Sequence, residues 1–100
     1  MKGETIREGE LLKPADRKAW ILKYVGEHGC VDVLDSEFVT QYIVNTAATH
    51  VVMGFGAPRC SMLSRDLKSL FDDDRLQRSS VGLTEHYSGF PNWVWSYRLK

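Results

Sequence analysis

Ser61 to Arg78 reads SMLSRDLKSLFDDDRLQR, and after a turn-rich gap the chain returns through Trp93–Leu99, WVWSYRL. Leu63, Leu67, Leu70 and Phe71 fall at i, i+4, i+7 and i+8, one buried face of a helix beginning at Cys60 or Ser61. Ser61, Arg65, Lys68 and Asp72 fall on the opposite face, with Ser64 and Ser69 at its flanks. Asp72-Asp73-Asp74 places negative charge where the helix dipole disfavours it, so the helix is expected to stop there. Leu76 to Val81 then reads as a strand, Gly82 to Asn92 as a loop of turn formers, and Trp93 to Leu99 as the returning strand. Trp93, Trp95 and Tyr97 alternate with Val94, Ser96 and Arg98, which makes one face of that strand wholly aromatic.

Upstream, Thr49 to Arg59, THVVMGFGAPR, holds Gly54, Gly56 and Pro58, which exclude a continuous helix. The stretch reads as a long connection into which the second helix frays, and its apolar residues make it a candidate contact surface. That second helix is expected to be capped by Asp35 or Ser36, with Glu37 in its first turn, and to bury Phe38, Val39, Tyr42, Ile43 and Ala47. It should end between Ala47 and Thr49. Cys30 to Leu34 alternates and is β-branched, a short strand. Pro14-Ala15-Asp16 starts a first helix whose apolar stripe is Ala19, Leu22 and Val25 with Trp20, Ile21 and Tyr24 beside them. Gly29 is placed to end it in a left-handed conformation. Residues 1–13 are polar and lack periodicity, a mobile arm, so the folded domain is expected over 14–100.

The chain has 100 residues, enough for one core. No apolar run approaches the ~20 residues of a membrane helix, and the start has no hydrophobic block, so no membrane partner and a cytoplasmic location are expected. Cys30 and Cys60 lack CxxC spacing, and with His28 and His50 they pre-assemble no zinc site, so no metal and no cofactor is expected. A glycine-rich phosphate loop ending in Lys-Ser/Thr, a GxSxG elbow and HExxH are all missing, and the chain reads as a non-enzyme.

The order helix, short strand, helix, helix, strand, wing, strand resembles the winged helix-turn-helix domains of bacterial and phage transcriptional regulators. The resemblance runs from Asp16 to Leu99. It is carried by Leu63-Ser64-Arg65-Asp66-Leu67, then Leu70, Leu76 and Arg78, and by the ending Gly89-Phe90-Pro91-Asn92-Trp93-Val94-Trp95-Ser96-Tyr97-Arg98-Leu99. It implies a mainly α, α+β fold of three helices and a small antiparallel hairpin wing. It also implies double-stranded DNA as partner, with helix three in the major groove. In that reading Arg65 contacts guanine, Ser61 and Ser64 reach base edges or phosphates, and Lys68 faces a phosphate. Arg59 and Arg78 track the backbone, and His86, Tyr87 and Asn92 sit where a wing tip touches the minor groove or a phosphate.

Charge tempers that expectation. Lys and Arg number 13 against 13 Asp and Glu, a net charge of zero, where a strong DNA binder carries a basic surplus. From Arg59 onward there are seven basic residues against five acidic, and before it six against eight, so the small surplus falls in the half with the recognition elements. The alternative expectation is a protein-protein interaction module using the aromatic wing, Phe90 and the Val51–Phe55 loop, and a homodimer would use the arm, helix one or the Val51 loop.

Overall fold

A computed structural model describes residues 10–54, 56–84 and 91–100. Within them the chain is an α+β domain of three helices and two small antiparallel sheets.

Helix α1 spans Pro14–His28, with proline in its first turn, where a missing N–H costs nothing. Its buried residues are Arg17, Ile21, Tyr24 and Val25. This corrects the sequence expectation: Ala19 is exposed and Leu22 only half-buried, because the inward stripe is turned toward Arg17. Gly29 follows at φ 91°, ψ −65°, a positive φ outside the left-handed helical region, and donates its N–H to the Val25 carbonyl at 2.8 Å.

Strand β1 is only Cys30–Val31. The expected strand to Leu34 is cut short because Asp32 Oδ1 accepts the Leu34 N–H at 2.8 Å, an Asx turn that redirects the backbone. Asp35 caps helix α2, Ser36–Thr46, accepting the N–H groups of Glu37 and Phe38. Phe38, Val39, Tyr42 and Thr46 face inward, Ile43 and Ala47 are half-buried, and Ala47 ends the helix in a left-handed conformation at φ 57°.

The stretch read as a long connection is a β-hairpin, which corrects the expectation of a loop with a fraying helix. Strand β2, Val51–Gly54, pairs antiparallel with β3, Ala57–Cys60, in the register Val51↔Cys60, Val52↔Arg59, Met53↔Pro58, Gly54↔Ala57. The β-branched Val51-Val52 favours extended backbone, and Gly56 takes the positive φ of 78° that a two-residue turn requires. The residues that exclude a helix therefore build a second ribbon.

Strand β3 runs straight into α3, Ser61–Asp72, whose inward residues are Leu63, Asp66, Leu67 and Leu70. Beyond it the Arg75 N–H reaches the Leu70 carbonyl at 2.9 Å and the Asp74 N–H reaches Phe71 at 3.0 Å. Asp74 stands at φ 65°. This is a Schellman closure with aspartate at the position usually given to glycine, so backbone geometry ends the helix here.

Strands β4, Leu76–Gly82, and β5, Trp93–Leu99, pair from Leu76↔Leu99 to Gly82↔Trp93, and one further bond runs from the Leu83 N–H to the Asn92 carbonyl at 2.9 Å. Strand β1 pairs with the other side of β5, giving the sheet order β1-β5-β4. Ile21, Val25, Phe38, Val39, Tyr42, Leu63, Leu67, Leu70, Leu76 and Tyr97 form one core between the helices and this sheet.

Candidate functional site

The inward leucines of α3 push Ser61, Ser64, Arg65, Lys68 and Asp72 out to solvent. Lys68 Nζ lies 2.9 Å from Asp72 Oδ2, an exposed i,i+4 pair that offsets one charge with the other. Arg65 has no carboxylate or hydrogen-bond partner among the described residues.

A buried polar cluster fixes the rotation of α3 and with it the direction of Arg65. Arg17 of α1 donates to Asp66 through Nε at 2.8 Å and through Nη2 at 3.2 Å, and the Tyr42 hydroxyl of α2 donates to Asp66 Oδ2 at 2.6 Å. Arg17 Nη1 also reaches the Leu12 carbonyl at 2.8 Å, while the Leu12 N–H bonds to Thr46 at 3.0 Å. All three helices thus meet at one carboxylate, and the segment before α1 is tied to them through Arg17 and Thr46. The hydrogen bond to Asp66 raises the Arg17 guanidinium further above its ordinary pKa. Burial, and then the bond to Asp66, pushes the Tyr42 hydroxyl well above the usual phenol range. Sequence reading missed this cluster, although Asp66 falls between Leu63 and Leu70 on the apolar face at i+3 and i−4.

The N-terminus of α3 opens onto a depression of about 430 Å³ lined by Val33, His50, Val52, Arg59, Ser61 and Ser64, among others. No side chain caps this helix, and its first turn contains no acid. Cys60, at the cap position, instead turns its thiol to the Thr49 carbonyl at 3.4 Å. Arg59 is half-buried and donates to the carbonyl of Pro58 on its own strand at 3.0 Å. Its neighbours His50 and Val52 were not expected at this site. The signal is the hairpin register, which sets Val52 opposite Arg59.

A second depression of about 240 Å³ shares Val33 and Ser64 with the first and is bounded on the wing side by Pro91, Trp93, Val94 and Trp95. Ser64 therefore stands on the ridge between two adjoining hollows. Arg78 of β4 lies between two aromatic rings, 3.9 Å from the centre of Phe71 and 4.1 Å from that of Trp95. Asn92 is exposed at the end of the ribbon. His86 and Tyr87, with Phe55 and Phe90, lie outside the described residues.

Of the expected site residues, Ser61, Ser64, Arg65 and Lys68 share the outer surface of α3, Arg59 adjoins Ser61 and Ser64, and Arg78 and Asn92 stand on the ribbon. Among the described residues no group of three or more His, Cys, Asp or Glu is arranged to hold a metal ion, and no helix is long and apolar enough to cross a membrane. Cys30 is exposed and Cys60 buried. Compared with family models, curated proteins and solved structures, the chain matches none.

Proposed function

We propose that the chain is a DNA-binding domain of the winged helix-turn-helix kind, a small cytoplasmic transcriptional regulator without catalytic chemistry that reads the major groove with α3. The observation that carries this reading is the outer face of α3: Ser61, Ser64, Arg65 and Lys68 are all exposed on it, and Arg65 is uncommitted among the described residues. Support also comes from the sheet order β1-β5-β4 behind that helix and from the ribbon beside it. In this reading Arg65 takes a base edge with its planar fork, and the uncapped first turn of α3, with Arg59, faces a phosphate. The hairpin β2–β3 replaces the tight turn usual before such a helix and lines the groove at its N-terminus.

The test is fluorescence anisotropy with a pool of random duplex DNA over a range of salt concentrations. Replacing Arg65 and Lys68 together by alanine is expected to weaken binding about tenfold or more and to lower the salt slope by about 1 to 2. Wild-type protein with no salt-dependent binding, or a double variant that binds as the wild type does, refutes the model.

A second reading, a protein-interaction module or homodimer, is favoured by β2, where Val52 is 64% and Met53 69% exposed on a strand with one neighbour. There Met53→Lys is expected to abolish the association and leave DNA binding intact.

A further inference from the structure

Trp93 is 49% exposed at the far end of the wing, well outside the core that its sheet covers. Its partner across the ribbon is Gly82, where a side chain would meet nothing within 4 Å, so no neighbour on β4 covers the indole. Trp93 meets Trp95 edge to face, with centroids 4.9 Å apart and planes at 87°. The two rings form a corner, open to a shallow hollow of about 480 Å³ completed by Ser80 and Gly82. Trp95 is held in turn by Arg78, which rests on Phe71 at the end of α3. The ladder Phe71, Arg78, Trp95, Trp93 fixes the platform before any ligand arrives, which lowers the ordering cost of binding.

Charge selects the occupant. The Arg78 guanidinium has no acceptor among the described residues, so the exposed indole corner stands beside an uncompensated cation. A nucleotide supplies both complements, a π-face for the indole and a phosphate for the guanidinium. A proline-rich peptide would use the indoles and leave Arg78 without a partner. In an intact duplex the base faces are stacked on one another and present only their edges.

We infer that the wing binds unpaired nucleotides, with a base of a single-stranded segment stacked on Trp93 and its phosphate beside Arg78. This rests on the nucleic-acid reading of the domain and specifies its substrate class as DNA or RNA with a single-stranded stretch.

The experiment compares a short oligothymidylate with a blunt duplex of equal length, followed by tryptophan fluorescence and by anisotropy. The single strand is expected to quench fluorescence and to keep binding at salt that releases the duplex. Trp93→Ala is expected to weaken single-strand binding about tenfold, within the range for loss of one stacked base, while Trp93→Phe retains most of it. Circular dichroism checks that both variants stay folded. Duplex binding without single-strand binding, or single-strand binding indifferent to Trp93→Ala, overturns the inference and leaves the duplex reading standing. Binding of neither nucleic acid removes both, and quenching by a polyproline peptide alone assigns the platform to a protein.

Discussion

Arg17 and Asp66 lie 49 positions apart and meet as a two-point fork, Nε to Oδ2 at 2.8 Å and Nη2 to Oδ1 at 3.2 Å, in the space between α1 and α3. Both side chains are nearly inaccessible, at 10% and 6%. Removing one partner strands the other charge in the interior, so Asp66→Ala is expected to destabilise the fold by about 3–5 kcal/mol. Replacing both, Arg17→Met with Asp66→Leu, should recover much of that loss, since an apolar pair needs no counter-charge. Urea unfolding of the two variants measures the difference, and a double variant as unstable as the single one contradicts this account.

The same fork marks where sequence reading stopped. The boundaries of α3, β4 and β5 were legible because leucines at helical spacing, and then alternating aromatics, leave one period each. Asp66 and Arg17 were not singled out as a pair, since a buried pair has no period of its own and each half is visible only beside its partner. Hairpin β2–β3 was missed for another reason. Val51, Val52 and Met53 are all exposed, so the strand shows no inside-outside alternation, and its glycines and Pro58 read only as breakers. The outer face of α3 follows from its inner face and was read correctly. The Arg78 sandwich needed the ribbon register, which brings Trp95 and Arg78 together from strands separated by the ten positions 83–92.

Tyr42 makes stability depend on alkaline pH. Burial and the hydrogen bond to Asp66 hold its hydroxyl above the ordinary value, as burial does for Tyr24. An unfolded tyrosine ionises near pH 10, about the model-peptide value, while the folded one keeps its proton. The unfolded state therefore loses protons first. The contribution is complete below about pH 10 and disappears as pH rises toward the folded pKa. Tyr42→Phe is expected to cost about 1–3 kcal/mol at neutral pH and to flatten the decline above pH 10, leaving the share due to Tyr24. Urea midpoints at neutral pH and above pH 10 decide it, and a decline as steep as in the wild type counts against it.

Asp74 pays a conformational cost at φ 65° that glycine would not. Its ion pair with Lys100 Nζ, at 2.6 Å, is exposed to water and contributes little. Asp74→Gly is expected to raise stability by up to about 1 kcal/mol, and Asp74→Val to lower it, because a β-branched residue tolerates that conformation least. Thermal unfolding distinguishes the two, and a lower Tm for the glycine variant would mean that the Lys100 contact outweighs the backbone term.

The thiols should separate cleanly. Cys30 is exposed, whereas Cys60 is 5% accessible and bonded to the Thr49 carbonyl at 3.4 Å where β3 enters α3. A chromogenic disulfide reagent is expected to titrate one thiol at once and the second only as fast as this junction opens, with both reacting immediately in strong urea. Two equally fast thiols in native protein would place the junction in solvent.

Arg78 holds the wing to α3 through its two ring contacts, at 3.9 Å to Phe71 and 4.1 Å to Trp95. A planar guanidinium can cover both faces at once, while a lysine ammonium is a compact charge that cannot. Each contact of this kind is worth about 0.5–1 kcal/mol where water has partial access, so Arg78→Lys is expected to lose about 1 kcal/mol despite keeping the charge. The near-ultraviolet dichroism should change with it, because Trp95 loses the neighbour that fixes its ring and Trp93 rests on Trp95 edge to face. Arg78→Met keeps apolar contact with the rings and loses the cation, so it separates packing from charge. A lysine variant with wild-type stability and an unchanged aromatic spectrum would show that the sandwich does not restrain the ribbon.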